Sequence, residues 1–505
     1  MKLQRVLFFN PPSPPFMNVG RDWAGGMGIA SPSIRPTYGH DTDSDLVPYM
    51  SLLHCAAILE NAGYSVSFLD GQAERYTLED VKKQVQTLNS SIVVVAINLP
   101  SIYGDLKLAQ EIKNILPTLK IIGIGTVCKV PTLAKLILES KAIDFIILGD
   151  AEIVLLDLIN ALENNKNKET VRGIAYWQNN NVIMTQQAQP LKNLDSLPFA
   201  PYHLLPMDKY WTPAFGKKEK YMMIYSTRGC PFKCAYYCPY PLGFGKKVIF
   251  RNPFKTVDEI QFLREKYGVR AILFRDQNFT INKTHASQIC DELIKRKLNI
   301  RWLCETRLNL VDEAMLKKMK EAGCEEINFG FETGDPELFE KIGKPAGGDL
   351  DNAATVITAA KKIGIKVVLH VMVGLPGENW QRVKKTLNCL KKWRGLISGI
   401  GIAIATPYPG TKFYEDAKKK NLILTENWSK YTGYQPVMKT EHFTVKELLK
   451  AQKFIEDNFY FEGNYEKMKN IISKTCKYLH DGTFFKRLQQ KITLWFQYLI
   501  DPNKV

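Results

Sequence analysis

The 505-residue sequence contains no uninterrupted apolar run of about 18 residues, so no membrane-spanning helix is expected. Nor does it open like an export signal. Met1-Lys2-Leu3-Gln4-Arg5 leads at once into Val6-Leu7-Phe8-Phe9, an apolar run too short for a signal core and patterned like a strand. Without export, the expected compartment is a reducing cytoplasm, where disulfide frameworks do not persist. There is no internal repeat, which excludes a solenoid or propeller. Acidic residues are in deficit, 51 against 68 basic ones, and the net charge is +17. The surplus is mostly lysine, much of it between residues 341 and 505. Such a balance permits nucleic acid, anionic lipid or an acidic substrate as partner. Lysines on solvated helix faces explain it more simply, and nucleic acid is not expected.

What is present suits a globular chain. Hydrophobic residues make up 45% and charged residues 24%, enough to bury sizeable cores. At roughly 100–200 residues per domain, the length accommodates two or three domains. Over residues 1–185, apolar runs at 6–9, 66–69, 92–97, 121–124 and 145–148 read as buried parallel strands. Helical periodicity separates them near 48–62, 105–115, 131–139 and 152–163. This alternation predicts an α/β fold with a doubly wound, Rossmann-like sheet. Ligands of such sheets sit beyond the strand carboxyl ends. The candidates there are Asn10 and Pro11, Asp70 and Gly71, Asn98 and Ser101, Gly125 and Thr126, and Gly149 with Glu152. Loop 11–47 is long and rich in Pro and Gly, which points to function or disorder.

Residues 186–217 read as a linker. A second βα series occupies 218–440, with strands near 222–226, 271–275, 301–305, 326–331, 366–373 and 400–405. It predicts a partial (β/α)6 barrel of TIM type, with chemistry at the strand carboxyl ends. Residues 441–505 read as a helical region, with Trp495, Phe496, Tyr498 and Leu499 near its end.

Ten cysteines are present, and three crowd into nine residues. They lie in Thr227-Arg228-Gly229-Cys230-Pro231-Phe232-Lys233-Cys234-Ala235-Tyr236-Tyr237-Cys238-Pro239. In a chain without export this cluster reads as metal binding. Thiolates suit zinc or an iron–sulfur cluster. No fourth cysteine or histidine lies nearby, whereas a structural zinc site normally closes with four ligands. Three ligands leave an open metal position that a substrate can occupy. Zinc, or three buried free thiols, is the alternative at this point.

This loop and the segments after it resemble the radical S-adenosylmethionine superfamily over about residues 218–440. The resemblance implies that Cys230, Cys234 and Cys238 hold three irons of a [4Fe–4S] cluster. The fourth iron would chelate the amine and carboxylate of S-adenosylmethionine. An electron then breaks the sulfonium carbon–sulfur bond, and the 5′-deoxyadenosyl radical abstracts hydrogen. There is one departure. The family spacing is Cys-x3-Cys-x2-Cys with an aromatic before the third cysteine. Here both gaps are three residues, as if one tyrosine were inserted, and Tyr237 takes the aromatic place.

Further segments resemble the family in order, at successive strand ends. Asp276-Gln277-Asn278-Phe279 is similar to the segment that hydrogen-bonds the methionine amine. Arg307 stands where a carboxylate could be paired bidentately. Gly330-Phe331-Glu332-Thr333-Gly334 resembles the ribose-binding segment, with Glu332 as acceptor. Gly374, in Gly374-Leu375-Pro376-Gly377-Glu378, resembles the glycine-rich approach to adenine. Thr406-Pro407-Tyr408-Pro409-Gly410-Thr411 resembles the turn closing the barrel.

Upstream, Asn10-Pro11-Pro12, the helical stretch 52–63 and Gly149-Asp150-Ala151-Glu152 resemble the cobalamin-binding domain of cobalamin-dependent radical enzymes. That group includes carbon and phosphorus methylases and the anaerobic magnesium-protoporphyrin ester cyclase. No Asp-x-His-x-x-Gly motif occurs, so no histidine is expected below cobalt, and His40 and His54 read as structural. Gly123-Ile124-Gly125-Thr126 stands where relatives often have Gly-Gly-x-His.

The resemblance implies a methyltransferase acting on an unactivated carbon of a small-molecule substrate. Its cofactors would be the [4Fe–4S] cluster, S-adenosylmethionine and cobalamin, with an electron donor such as flavodoxin or ferredoxin. A radical cyclase, oxidase or rearrangement enzyme without methyl transfer is the alternative. A non-catalytic cobalamin-binding protein is the rival from another class. Methylthiolation of tRNA is not expected, since the amino-terminal region holds only Cys55 and Cys128. The aromatics Phe484, Phe485, Trp495 and Phe496 read as core, or as peripheral contact with an apolar substrate or membrane surface.

Overall fold

The computed structural model describes residues 5–460, apart from 16, 33–44, 217–218 and 345. His40, Phe484, Phe485, Trp495, Phe496, Tyr498 and Leu499 lie outside the described residues.

The amino-terminal strands form where β-branched residues run without charge. Ile92–Ala96 is buried along its whole length, which demands cover on both faces. Five parallel strands, Arg5–Asn10, Ser65–Asp70, Ile92–Ala96, Lys120–Ile124 and Phe145–Ile147, fall within one residue of the predicted runs at each end. Alternate side chains feed two cores. Leu7, Phe9, Val93 and Val95 enter one, and Val6, Phe8 and Val94 enter the other. Helices Met50–Asn61 and Ala151–Glu163 cover the second face. Ile102–Ile115 and Pro131–Glu139 cover the first.

The five expected strands are parallel, and the sheet becomes mixed only through two further strands that were not foreseen. Ile174–Gln178 and Asn181–Met184 extend it as an antiparallel hairpin. The turn between them places Asn179 and Asn180 at φ 50° and 63°, the left-handed pair a tight hairpin requires. Helix Leu78–Leu88 was also not foreseen; a reciprocal capping box between Thr77 and Asp80 starts it.

The second sheet has six parallel strands in chain order: Tyr221–Ile224, Ala271–Phe274, Arg301–Thr306, Cys324–Glu332, Lys366–Val373 and Gly399–Ile404. The two sheets share cores. Leu46, Met50 and Leu53 pack with Met222–Ile224 of the first barrel strand, while Tyr408, Trp428 and Tyr431 pack into the amino-terminal core. The stretch expected as a linker is also packed. The Tyr210 hydroxyl donates to Asp70 at 2.7 Å, and that of Tyr202 to Glu259 at 2.9 Å. Beyond the barrel, the described part of the carboxyl-terminal region is helix Val445–Tyr460.

Winding of the first sheet reverses between Arg5–Asn10 and Ile92–Ala96, the usual place for a ligand crevice. Here the chain fills that place itself. A short ribbon, Met17–Gly20 with Ile29–Pro32, brings in Arg21, which is 2% exposed. Its guanidinium pairs with Asp105 at 2.9 Å and donates to Asn98 Oδ1, Ser101 Oγ and the Pro11 carbonyl. Removing one partner of such a pair strands a buried charge. Arg21→Ala should therefore cost about 3–5 kcal/mol, whereas Arg21→Met with Asp105→Leu should recover most of it. Thermal and urea unfolding of both variants check this; equal losses would reject the stranded-charge account.

Candidate active site

The site begins where the first barrel strand ends. Asp276 is fully buried and accepts from the backbone N–H groups of Ser226 and Thr227, at 2.7 and 2.9 Å, and from the Ser226 hydroxyl. Burial raises its pKa to about 6 against the pull of these donors. Asp276 was expected to meet a methionine amine. It straps the outgoing chain instead and does not line the cavity. Thr227–Arg228 then pairs antiparallel with Ile249–Phe250. Gly229 turns the chain at φ 98°, and a Cβ there would lie 2.0 Å from the Lys247 carbonyl, so only glycine fits. The Cys230 N–H donates to the Gly245 carbonyl at 3.1 Å.

The extra tyrosine has a local solution. Lys233–Tyr236 forms a 3-10 turn, and the Cys234 carbonyl accepts from both Tyr237 and Cys238, at 3.1 and 2.9 Å. The added residue stretches a three-residue step to four, which still returns Cys238 to the side of Cys234. Tyr236 turns outward onto Phe413, with ring centroids 5.8 Å apart. Tyr237 is buried and lines the cavity.

A cavity of about 340 Å³ opens over the strand ends. It brings together Cys230, Cys234, Cys238, Tyr237, Asn278, Arg307 and Glu332. Asn278 Nδ2 lies 3.6 Å from Cys230 Sγ, and Arg307 stacks 4.1 Å from the Phe232 ring. Burial raises the pKa of all three thiols, that of Cys234 to about 11. A bound iron would reverse this, since metal coordination deprotonates a thiol outright. Among the described residues, no three His, Cys, Asp or Glu side chains converge on one ion position. All three cysteines line the same cavity, and thiolates are the ligands that an iron–sulfur cluster takes.

Glu332 enters the cavity because its backbone is left-handed, φ 63°, at a register shift against Lys366–Val373. Its carboxylate pairs with Lys344 at 3.0 Å. Gly374 is not in the cavity. Its N–H donates to Glu378 at 2.6 Å, and a Cβ would lie 2.9 Å from Leu448. Sequence reasoning missed Lys344, His370, Tyr434 and Trp23, all lining residues. Trp23 comes from the amino-terminal ribbon and lies under the Arg275 guanidinium at 4.3 Å. Arg275 also pairs with Glu305 at 3.3 Å.

Gly125, Thr126, Gly149 and Glu152 line a narrow crevice at the carboxyl ends of Lys120–Ile124 and Phe145–Ile147. Arg228, Gly243 and Phe244 close it from the barrel side. Arg228 and Glu152 pair at 2.8 Å, both buried. The Thr126 hydroxyl donates to the Gly25 carbonyl at 2.6 Å. Asn10, Pro11, Asn98 and Ser101 do not reach it. The last three hold Arg21, and Asn10 donates to Asp70 at 2.8 Å. His54 lies outside both openings, against Tyr225, and burial lowers its pKa to about 4.

Residues 224–390 match the radical SAM superfamily. A Pyrococcus horikoshii protein named as an uncharacterized methyltransferase is 32% identical over 87% of this chain and 92% of its own length. The anaerobic magnesium-protoporphyrin IX monomethyl ester cyclase of Rubrivivax gelatinosus is 26% identical over 82% of this chain and 74% of its own. The solved structure of the cobalamin-dependent S-adenosylmethionine radical enzyme OxsB, with aqua-cobalamin and S-adenosylmethionine bound, shares the fold with a TM-score of 0.70 at 15% identity. That likeness covers 99% of this chain and 75% of OxsB. With three thiols lining one cavity and a relative 32% identical spanning both sheets, the chain belongs to the radical S-adenosylmethionine superfamily, in the family of the Pyrococcus protein.

Proposed function

We propose that this chain is a cobalamin-dependent radical S-adenosylmethionine methyltransferase acting on an unactivated carbon of a small molecule. The observation that carries the reading is a shared chamber. Its cysteine wall belongs to the barrel, and Trp23, Ala24 and Ile29 face it from the amino-terminal ribbon. The name of the Pyrococcus relative and the ligands bound in OxsB agree with it.

Of the two sides of the first sheet, the Gly125–Glu152 side is the one left for cobalamin to contact. Arg21 fills the crossover crevice. On the Gly125–Glu152 side, glycines keep the lip low, and the buried Arg228 Nε has no hydrogen-bond partner. Among the described residues, no histidine lines that crevice.

When bound, the cluster with S-adenosylmethionine supplies a hydrogen-abstracting radical, and cobalamin supplies the methyl group. The chain binds, orients and shields. Cys230, Cys234 and Cys238 hold the cluster. Arg307 and Lys344 present cations to the methionine carboxylate. Glu332 accepts from the ribose hydroxyls, and Asn278 steadies the Cys230 side. Trp23 and Tyr408 exclude water from the chamber. A donor such as flavodoxin or ferredoxin supplies the electron in a reducing cytoplasm. Among the described residues, no helix is long and apolar enough to cross a membrane.

Anaerobic reconstitution with iron and sulfide should load one [4Fe–4S] cluster, and Cys234→Ala should lose both the cluster and 5′-deoxyadenosine formation. Uptake of zinc alone, or of no metal, would end the radical reading. With cobalamin added, the reduced protein should release both S-adenosylhomocysteine and 5′-deoxyadenosine. Deoxyadenosine alone would favour the cyclase-like alternative that the Rubrivivax relative represents. Lys344→Met removes a charged hydrogen bond worth about 1.5–3 kcal/mol, so the KM for S-adenosylmethionine should rise about tenfold or more. An unchanged KM would leave Lys344 as a structural partner of Glu332.

A further inference from the structure

A second opening, of about 590 Å³, lies on the other side of the cysteine ribbon from the chamber. Three parts of the chain converge on it. Lys129 follows strand Lys120–Ile124, Lys192 comes from the connector, and Lys246 and Lys247 precede Ile249–Phe250. Arg228, on the opposite strand of that ribbon, completes the basic set. Asp150 is the single acid among the lining residues, and it is already engaged. It accepts from the Leu191 N–H at 2.7 Å and lies 4.0 Å from Lys129.

With Arg228 paired to Glu152 and Lys129 beside Asp150, Lys192, Lys246 and Lys247 leave a net positive field in a concave place. Arg228 and Lys129 have lost most of their water. The Arg228 side chain is 3% exposed and that of Lys129 is 20% exposed. One edge of Arg228 meets Glu152, yet its Nε finds no acceptor. Lys129 Nζ is already satisfied by the Gly243 carbonyl at 2.6 Å, so Arg228 Nε is the one buried donor here without an acceptor, and leaving it so is costly. Lys246 and Lys247 are exposed, and among the described residues neither forms an ion pair. Gly149, Gly173, Gly243 and Gly245 border the same space and let backbone approach closely.

We propose that this opening binds a phosphate-bearing ligand, with Arg228 and Lys129 as its floor and Lys192, Lys246 and Lys247 as its rim. A phosphate offers several oxygens to donors arriving from several directions, which is how these five side chains are placed. The phosphate has two possible owners: the phosphodiester in the nucleotide tail of cobalamin, or a phosphorylated substrate. The inference does not depend on methyl transfer.

The test uses the full chain, reconstituted with its cluster, and the variant Lys246→Glu with Lys247→Glu. Both side chains are exposed and line neither the cysteine cavity nor its walls, and the Lys247 backbone that faces Gly229 is unaltered, so cluster absorbance and S-adenosylmethionine cleavage should be unchanged. Inorganic pyrophosphate binding, read by calorimetry, should weaken about tenfold or more in the variant and fall with added salt in the wild type. Hydroxocobalamin is compared with cobinamide, which lacks the phosphodiester, by equilibrium dialysis. A wild-type preference for hydroxocobalamin that shrinks in the variant assigns the phosphate to the cofactor tail. Lost pyrophosphate binding with no such preference assigns it to the substrate. If neither pyrophosphate binding nor that preference responds to the charge reversal, the proposal is overturned. Absence of S-adenosylhomocysteine would sink methyl transfer and leave this site standing.

Discussion

The cavity wall depends on how the chain leaves its first barrel strand, and a carboxylate outside the cavity controls that exit. Asp276 takes two backbone N–H groups and a hydroxyl from Ser226 and Thr227 in a place without solvent. A buried carboxylate is tolerated only when donors surround it. Three donors from two consecutive residues therefore leave the strand end one orientation. Gly229 follows immediately, pressed against the Lys247 carbonyl, and Cys230 is hydrogen-bonded to Gly245. The first cysteine is thus located by backbone bonds before any metal is considered, and the other two follow from a single turn around the Cys234 carbonyl.

The same ribbon fixes the spacing between the barrel and the first sheet. A Cβ on Gly25 would lie 2.3 Å from Tyr240 Cα, and one on Gly243 would lie 2.4 Å from the Gly25 carbonyl. These are backbone-to-backbone contacts with no side chain to yield. They make the turn at Gly25 part of the cysteine loop's support, and they carry Trp23 to the far wall of the chamber. The chamber is therefore a product of the seam between the two sheets.

Much of this was legible in the sequence, for identifiable reasons. The parallel strands of both sheets declared themselves because burial on two faces requires unbroken apolar runs. The cysteines were legible by crowding, and the strand-end segments by their order. Direction was not legible. Asp276 and Asn278 are two residues apart, yet one faces the strap and the other the cavity, a distinction set by how the chain turns at the strand end. Arg21, Trp23 and Lys344 were not legible either. A lone charged or aromatic residue in irregular chain carries no period. For Arg21 and Trp23 the partners, Asp105 and Arg275, lie far along the sequence. Lys344 is close to Glu332 in sequence, but their pairing needs the left-handed turn at Glu332. The hairpin after Phe145–Ile147 was missed, although a pair of adjacent asparagines, left-handed here, is a signal for a tight turn.

The seam is apolar at its flanks and charged at its centre. Leu46, Met50 and Leu53 on one side, and Tyr408, Trp428 and Tyr431 on the other, supply adhesion by burial. Between them run the buried Arg228–Glu152 pair and Arg275, which donates to the Asp22 carbonyl of the amino-terminal ribbon at 2.9 Å. Buried ion pairs contribute little net stability, because desolvation offsets most of their attraction. Their effect lies in intolerance of error. An apolar seam can slide by an ångström and lose little, whereas a buried arginine moved off its acceptor is left unpaired at a cost of several kcal/mol. Charges at the centre of the seam thus act on register more than on cohesion. Register is what a chamber built from two sheets needs, since a small displacement of one wall would separate groups that must meet on one substrate.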